Sequence, residues 1–415
     1  MATVGNSPAL DFDRFHRERL PEHLAAGRGR VAAAAATGCK PLALRVGTDA
    51  SFTYVPRDGS IAIEPGHETA ATIIELDVAA WEEFAGELRS APGLLYSGKV
   101  ECVRGHAMRF IEWEPVLRSL YHGREVFVPG TADLRDADGS PLDPTRSFCM
   151  KGLDDGSAGA EATAAEMRHF LGEAGYLIVR DVFSPDEVAS LLDEAERLRA
   201  ATARDDDSCW WARNAQGEDV LCRIIYAGRR SSLLAGLFDD ERVQRLIALS
   251  NDRVLPTRDS YDGVSVLFKH REASEGLSDL PWHADCGLGG HPILCPLIVM
   301  SVHLTEMNAE SGELRVLPGS WGKACRPIDA NDPDAPTGVG LSASPGSCTL
   351  HYGDLMHAAP PPTGTSVLRT SLLLPFLSPA ALELMGPGQS YNDLLGTRTG
   401  GQVEHLRDLI EKDAT

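Results

Sequence analysis

Residues 293–321 read ILCPLIVMSVHLTEMNAESGELRVLPGSW and contain the pattern that decides the fold of the larger part of the chain. An apolar run, ILCPLIVMSVHL, is followed by a polar loop and a second short run, ELRVL, which ends at the breaker PGSW. β-rich runs of this length, divided by Gly- and Pro-rich breakers, are typical of strands in an all-β domain. The stretch therefore predicts two strands joined by turns.

Runs of the same kind lie on both sides of this stretch. They are VSVLF at 264–268, SCTLHY at 347–352 and VLRTSLLLPF at 367–376. Several strands with few helices predict a β-sandwich or a jelly roll, and we take the double-stranded β-helix of cupin-like proteins as the fold. Farther upstream, YLIV predicts a strand, and an amphipathic helix follows it. Ser184, Pro185 and Glu187 supply the N-cap, the first-turn proline and the capping-box partner of that helix.

The first ~125 residues predict a separate α+β unit. An Ala-rich stretch is expected to be helical, and LALRVG, SFTYVPRDG, SIAIEPG and ATIIELD predict hairpins in an antiparallel sheet. VAAWEEFAGEL and HAMRFIEWEPVLRSLYHG have helical spacing, and GKVECVRG predicts one more strand. This succession resembles the sterol carrier protein 2 family, which implies an apolar, lipid-sized tunnel between helices and sheet. An unrelated α+β domain with a structural or dimer-forming role is the alternative.

The composition changes between the two units. Residues 128–162 are rich in Gly, Pro and Asp and have little apolar periodicity, as expected of a surface connection. We therefore place the carrier-like domain at 1–127, the connection at 128–162, the jelly roll at 163–380 and a helical tail at 381–415.

Charge and composition limit the partners and the compartment. The chain has 39 Lys and Arg against 60 Asp and Glu, a net charge of −21, and no long basic run, so nucleic acid is not an expected partner. Nine cysteines without a C-x-x-C pair do not predict a disulfide framework. The longest apolar run is far short of the roughly 20 residues of a membrane helix, and the N-terminus does not resemble a signal peptide. We expect a cytoplasmic protein with a small-molecule substrate; the oligomeric state is not indicated.

A histidine and an aspartate, both common metal ligands, are two positions apart in PWHADCGLGGH, residues 281–291. Because strand side chains alternate between faces, His283 and Asp285 are expected to point the same way. His357, in HYGDLMHAAPPP at the end of another predicted strand, offers a third ligand. Two imidazoles and one carboxylate form the facial triad of non-haem Fe(II) oxygenases. We predict that these three residues bind the metal and are catalytic.

A candidate cosubstrate site follows the third ligand. Arg369 lies inside an apolar run, where a buried guanidinium needs an anionic partner, and its planar fork suits the distal carboxylate of 2-oxoglutarate. Ser371, on the same strand face, is expected to add a hydroxyl contact, and Lys269 is a further candidate. A surface salt bridge for Arg369 and a solvated strand-end position for Lys269 are the alternatives.

Three histidines near the motif, His291, His303 and His351, are expected to have supporting or packing roles and not to bind the metal. Cys286, next to Asp285, is expected to point to the other sheet face and to be a packing residue. Trp210 and Trp211 are candidates for the wall of a substrate pocket, and simple core packing is the alternative.

Residues 165–377 resemble the phytanoyl-CoA dioxygenase family of Fe(II)/2-oxoglutarate oxygenases. The resemblance rests on the order and spacing of FLGEAGYLIVRDVFSPDEV, WHAD, LTEMNAESGELRVLPGSW, GDLMH and the arginine that follows. It implies that His283, Asp285 and His357 hold Fe(II) and that Arg369 holds 2-oxoglutarate. It also implies that O₂ is consumed and that succinate and CO₂ are released. The retained carboxylate of Asp285 favours hydroxylation, or desaturation or epoxidation, over halogenation.

The predicted function is therefore a dioxygenase that hydroxylates an unactivated C–H bond of a small metabolite. The substrate is expected to be hydrophobic, either a secondary metabolite or a lipid or acyl thioester. The alternative is a lipid-binding or transfer protein whose oxygenase-like domain is inactive. A nucleic-acid demethylase with the same triad is disfavoured by the net charge of −21.

Overall fold

A computed structural model of the chain describes residues 11–47, 50–153, 158–250, 252–271, 273–275, 280–287, 293, 296–329, 332–364 and 368–384. Over these residues the chain forms an α+β unit followed by a larger, β-rich unit.

The first unit is built on a sheet of five described strands. They are β1 (Leu42–Val46), β2 (Ala50–Arg57), β3 (Ser60–Pro65), β4 (Thr72–Leu76) and β5 (Val100–Arg104). Their spatial order is β3-β2-β1-β4-β5. The prediction of an antiparallel sheet is wrong for one pair, because β1 and β4 run parallel with Leu42 opposite Thr72. After the β2–β3 hairpin the chain returns to the far side of β1, and this crossover sets the direction of β4.

Helices cover this sheet. They are α1 (Phe12–Arg14), α2 (Leu20–Ala25), α3 (Arg28–Ala35), α4 (Val78–Ala85), α5 (Ala91–Tyr96) and α6 (Met108–His122), with a π-helical segment at Phe15–Arg19. The large side chains of Tyr54, Trp81, Phe110 and Trp113 are fully buried between sheet and helices. In the described part of this unit, packed side chains therefore occupy the space where the sequence predicts a lipid-sized tunnel, and the carrier resemblance stays a prediction.

A buried histidine links the N-terminal helices to the sheet. The Nδ1–H of His16 donates to the carbonyl of Phe12 at 2.7 Å, and its Nε2 accepts from the hydroxyl of Tyr54 at 2.5 Å. The Tyr54 hydroxyl also hydrogen-bonds to that of Tyr121, and the imidazole stacks on Phe52 with ring centroids 4.4 Å apart. Burial lowers the pKa of His16 to about 4, so the ring is neutral in the folded protein at pH 7.

The larger unit has the predicted jelly-roll character. Its strands, with β6 leading into it, are β6 (Val126–Phe127), β7 (Phe148–Cys149), β8 (Tyr176–Arg180), β9 (Cys209–Asn214), β10 (Asp219–Ile224), β11 (Leu255–Pro256), β12 (Ser265–His270), β13 (Ala273–Glu275), β14 (Leu280–His283), β15 (Leu297–His303), β16 (Arg315–Val316), β17 (Ala324–Cys325), β18 (Val339–Gly340), β19 (Cys348–Tyr352), β20 (His357–Ala359) and β21 (Leu368–Leu377). The described strands form a large sheet in the order β13-β9-β10-β12-β21-β15-β19-β8-β7, with β11 added to β21, and a smaller sheet in the order β14-β20-β16-β18. The short strands β6 and β17 pair in parallel and tie the end of the first unit to the second.

Helices pack around the sheets of the larger unit. They are α7 (Ala158–Ala174), α8 (Pro185–Ala201), α9 (Ser232–Gly236), α10 (Glu241–Ile247) and α11 (Pro379–Leu384). The predicted capping box of α8 is confirmed: the Ser184 side chain accepts from the backbone of Glu187, whose carboxylate accepts from the Ser184 amide. Of the predicted C-terminal tail, residues 385–415 lie outside the described part of the chain.

The connection between the units is more buried than its composition suggests. Leu142, Phe148 and Met150 belong to the core of the larger unit, and β7 extends the large sheet by pairing with β8. The prediction of a surface connection is therefore wrong for these residues. Phe148 is buried where β7 pairs in parallel with β8, a pairing that the local composition does not encode. None of the helices in the described residues has the length and apolar character of a membrane span.

The buried His16 makes a testable prediction about pH. Because the pKa of His16 is lowered from 6.5 to about 4 on folding, its stabilising contribution is complete above pH 6.5 and declines as the pH falls towards 4. The free energy of unfolding should fall by about 3 kcal/mol over this window. Urea unfolding followed by tryptophan fluorescence measures it. His16→Gln should flatten the slope, whereas His169→Gln in α7 should leave it unchanged; equal slopes in all three proteins would contradict the assignment.

Candidate active site

The pairing of two short strands brings the predicted metal ligands together. In the smaller sheet, His283 of β14 stands directly opposite His357 of β20. The chain turns away after β14, and the amides of Asp285 and Cys286 both donate to the carbonyl of Gly353, at 2.7 and 3.0 Å. One ligand atom from each of His283, Asp285 and His357 lies within 4.8 Å of the others, close enough for all three to contact one ion.

Backbone carbonyls orient both imidazoles. The Nδ1 of His283 lies 2.7 Å from the carbonyl of Pro281, and the Nδ1 of His357 lies 2.9 Å from that of Leu355. In the neutral ring each Nδ1 therefore carries the proton and donates it, which leaves each Nε2 lone pair for a metal. Both Nε2 atoms face the same oxygen of Asp285, at 3.5 Å from His283 and 3.7 Å from His357.

The electrostatics of this cluster suit a divalent cation. Burial opposes ionisation of Asp285, but His357, His283 and His351 around it hold the pKa of its carboxyl well below its usual range. Burial and the neighbouring His283 lower the pKa of His357 to about 3. A charged carboxylate and a neutral imidazole are the protonation states that bind metals.

His351 stands beside the three candidate ligands. It is buried, and its Nε2 lies 3.6 Å from the second oxygen of Asp285. Its ring is 4.7 Å from that of His357. These positions agree with the supporting role predicted for it, whereas His291 lies outside the described residues.

The donor set fits iron. Two imidazole nitrogens and one carboxylate oxygen on one side of an ion match the facial triad of non-haem Fe(II) enzymes, which keeps the opposite positions open. The Asp285 oxygen that faces both histidines supplies the anionic ligand, and its other oxygen faces His351.

The predicted cosubstrate residues lie on the neighbouring strands of the large sheet. Arg369 and Ser371 of β21 are buried and line the same cavity as the three candidate ligands. His303 bridges two hydroxyls below them, with Nδ1 3.3 Å from the Ser371 oxygen and Nε2 3.0 Å from the Thr349 oxygen. Burial, with a contribution from Arg369, lowers the pKa of His303 to about 3. The surface salt bridge considered for Arg369 is therefore wrong.

Lys269 lies in an environment that the sequence did not predict, neither at a solvated strand end nor in a demonstrated contact with the cosubstrate. It stands opposite Arg369 in the β12–β21 register but is fully buried, so a solvated strand-end position is wrong. Its ammonium donates to the carbonyl of Ala359 at 2.6 Å, which joins β12 to the strand that carries His357. A contact with the cosubstrate stays a prediction.

A cavity of about 830 Å³ contains the site. Its walls come from both units, and they include His283, Asp285, His357 and Arg369. A cavity of this size suits a small-molecule enzyme. Trp210 lies on the wall, which is one of its two predicted positions, while Trp211 packs partly buried against the core. Cys286 packs with Tyr261 and Leu297, and it also lines the cavity.

Comparison with known proteins identifies the larger unit. Residues 171–370 match the family model described as phytanoyl-CoA dioxygenase (PhyH). The chain carries a phytanoyl-CoA dioxygenase family domain. Enzymes of this dioxygenase family use Fe(II), 2-oxoglutarate and O₂, as the resemblance in sequence implies. No curated protein matches the chain.

Several solved structures are similar to part of this chain. The 2-oxoglutarate-dependent epimerase SnoN from nogalamycin biosynthesis is 20% identical, with a TM-score of 0.41, over 52% of this chain and 83% of SnoN. EctD from S. alaskensis, solved with 2-oxoglutarate and 5-hydroxyectoine, is 24% identical, with a TM-score of 0.43, over 61% of this chain and 85% of EctD. The carbocyclase SnoK from nogalamycin biosynthesis is 16% identical, with a TM-score of 0.42, over 56% of this chain and 87% of SnoK.

The first unit holds the loop that follows the metal-ligand strand of the dioxygenase domain. Both the amide and the hydroxyl of Ser90 donate to the carbonyl of Gly287, each at 3.0 Å. The carbonyl of Glu87 accepts from the amide of Ile293 at 2.8 Å. Arg124 fixes this turn in place, because it pairs with the buried carboxylate of Glu87 and donates to the carbonyl of Gly322 at 3.1 Å. The position of the loop beside Asp285 therefore depends on the first unit.

Sequence reasoning missed the residues that the first unit contributes to the cavity. Helix α6 places Ile111, Glu114, Pro115 and Arg118 on the wall. Their spacing of three to four residues defines one helix face, and the Glu–Arg pair within this otherwise apolar face is a signal that could have marked it. The partner of that face could not be read from the sequence, since it belongs to the other domain.

Gly287 tests the dependence of the metal site on this contact. It has φ +82°, and an added Cβ would lie 2.6 Å from Ile293 and 3.1 Å from Ser90, so Gly287→Ala should displace the loop beside Asp285. We expect Fe(II) binding, measured anaerobically by calorimetry, to weaken at least tenfold. Gly217→Ala is the matched control, because Gly217 has φ +79° and nothing within 4 Å of its added Cβ. Equal iron affinity in both variants would show that the contact does not support the site.

Proposed function

We propose that this protein is an Fe(II)/2-oxoglutarate-dependent dioxygenase that hydroxylates an unactivated C–H bond of a small, largely apolar molecule. The observation that carries the proposal is the convergence of His283, Asp285 and His357 on one point of a cavity whose wall also contains Arg369. The family of the domain supports the same reaction class.

Each of these residues has a distinct role in the proposal. His283, Asp285 and His357 hold the iron through two Nε2 atoms and one carboxylate oxygen, and the carbonyls of Pro281 and Leu355 keep both rings in the ligating orientation. Arg369 binds the distal carboxylate of 2-oxoglutarate, and the Ser371 hydroxyl, which His303 holds, adds a second contact. Lys269 positions the strand of His357 through the Ala359 carbonyl. The bound iron, with 2-oxoglutarate and O₂, supplies the oxidising chemistry and leaves succinate and CO₂.

The cavity supports a small and largely apolar substrate. Its volume of about 830 Å³ accommodates a metabolite beside the cosubstrate. Trp282 and Met356 lie next to the histidines on the wall and belong to one apolar cluster. Such side chains exclude water from the reacting groups and orient an apolar molecule, while the reaction itself is set by the metal site.

Substrate-stimulated succinate formation tests the proposed function. Purified protein with Fe(II), 2-oxoglutarate and O₂ should release succinate, and a panel of small apolar metabolites and acyl thioesters should contain a compound that increases the rate. A protein that binds neither iron nor 2-oxoglutarate would instead have an inactive oxygenase-like domain, as in the lipid-transfer alternative.

Loss of one ligand should remove the metal. Mutation of residues that only support metal ligands typically lowers metal affinity about 10–100-fold. His357→Ala removes one of the three protein ligands themselves, so it should weaken Fe(II) binding by more than about a hundredfold. The iron content after gel filtration and the rate of succinate formation measure the effect. His169→Ala, in α7 outside the cavity, is the matched histidine control. Normal iron content in the His357 variant would refute the assignment.

Arg369 should affect the cosubstrate and leave the metal in place. Arg369→Leu removes a charge-assisted pair worth about 1.5–3 kcal/mol, so the KM for 2-oxoglutarate should rise roughly 10- to 150-fold while iron stays bound. Lys269→Met is the comparison: if that variant raises the KM and the Arg369 variant does not, then Lys269 binds the carboxylate.

A further inference from the structure

The active-site cavity has a wall that the dioxygenase domain does not make. Helices α5 and α6 of the first unit close it on one side, and α6 also contacts β17 of the larger unit. Met108 and Ile111 of α6 give this wall an apolar part, and Ile328 of the larger unit continues it. The first unit is thus part of the substrate chamber.

A buried cation interrupts this apolar wall. The side chain of Arg118 is only 16% exposed, and its guanidinium donates to the Glu114 carboxylate, whose side chain is 10% exposed, at 2.7 Å. Both residues line the cavity, so the exposed part of the pair faces the substrate space. Burial raises the pKa of Glu114 and opposes the charge on Arg118, but the carboxylates of Glu114 and Glu87 raise the pKa of Arg118, so its guanidinium stays charged. The Nε of this guanidinium has no hydrogen-bond partner in the described part of the protein, so the fork is not fully satisfied by Glu114.

Five other Lys or Arg residues of the described chain line the cavity with Arg118, although the whole chain has a net charge of −21; they are Arg124, Arg223, Lys323, Arg326 and Arg369. Arg124 pairs with Glu87, and the Lys323 ammonium lies 3.8 Å from the Glu125 carboxylate. Arg326 donates to the carbonyl of Thr37, and no carboxylate of a described residue lies within ion-pair distance of it. Arg326 is exposed at the edge of the wall, where it attracts an anion entering the cavity.

Acidic residues line the cavity as well. Besides Glu114 they are Glu112, Asp262, Asp285, Asp329 and Asp354, of which Asp262 pairs with Arg223. Glu112 is held by Arg109 on the same helix. Asp354 accepts from the amide of Gly322 at 2.8 Å, and burial raises the pKa of its carboxyl. Among the described residues, Glu114 is the one carboxylate within ion-pair distance of Arg118.

We propose that Arg118 is the carboxylate-binding end of the substrate site, and that the substrate is an amphipathic molecule with an apolar body and one carboxylate. This inference rests on the proposed function, because it assigns the molecule that is oxidised at the same cavity. The planar fork of the guanidinium matches a carboxylate in two parallel hydrogen bonds. The apolar body lies along Met108 and Ile111 and reaches Trp282, beside the metal ligands.

Paired probes that differ only in charge test this site. Octanoate and octanamide have almost the same size and shape, and calorimetry under anaerobic conditions measures their binding to the full chain loaded with Fe(II) and 2-oxoglutarate. We expect octanoate to bind at least tenfold more tightly than octanamide. Arg118→Gln should abolish that preference, and Arg118→Lys, which keeps the charge and loses the fork, should retain part of it.

Two further variants separate binding from folding. Arg109→Gln removes a neighbouring ion pair of α6, between Arg109 and Glu112. Because Arg109 does not line the cavity, this variant should keep the preference for octanoate. Glu114→Gln removes the ion-pair partner of Arg118 and should increase the preference for octanoate. If the ion pair is only structural, Glu114→Gln and Arg118→Gln should both lower the stability of the protein and leave the preference unchanged.

The outcomes distinguish this site from the proposed function. Equal binding of the two probes, absence of binding of both, or an unchanged preference in Arg118→Gln would overturn the carboxylate site. The absorption band that forms when Fe(II) and 2-oxoglutarate bind together provides the separate check. If the band forms and the preference is absent, only the carboxylate site fails; if the band does not form, the proposed function fails.

Discussion

The pairing of β14 with β20 is the constraint on which the candidate site depends. It places His283 opposite His357, and the Gly353 carbonyl then binds the amides of Asp285 and Cys286. These are backbone hydrogen bonds, so they hold the ligands at distances that side-chain rotation alone would not maintain. Each imidazole is also fixed by a carbonyl two residues before it. The three candidate ligands are therefore oriented by the main chain before any metal binds.

A second group of interactions surrounds Arg369, the candidate cosubstrate residue. His303, Ser371 and Thr349 form a neutral chain of hydrogen bonds below Arg369. Because His303 remains uncharged, it adds no second positive charge that would repel the guanidinium. Lys269 is directed to the Ala359 carbonyl and braces the strand of His357. Arg369 thus faces the cavity, and Lys269 supports the strand that carries His357.

Much of the dioxygenase domain was readable from local patterns. The capping box at Ser184 predicted where α8 begins. Strand alternation predicted that His283 and Asp285 share a strand face, but β14 ends at His283, and Asp285 reaches the site through a turn held by the Gly353 carbonyl. Features that depend on distant pairing were not readable. The parallel β1–β4 pair follows from a crossover, and the burial of Phe148 follows from sheet extension by β7. Arg118 was missed for the same reason, since a helix face does not reveal which surface it will meet.

The division of the cavity between two units separates the chemistry from the choice of molecule. The candidate ligands and Arg369 belong to the larger unit, while α6 of the first unit supplies part of the wall. Substitutions on the cavity face of α6 can therefore change the shape of the cavity without replacing any candidate ligand, provided that the Ser90 and Glu87 contacts remain.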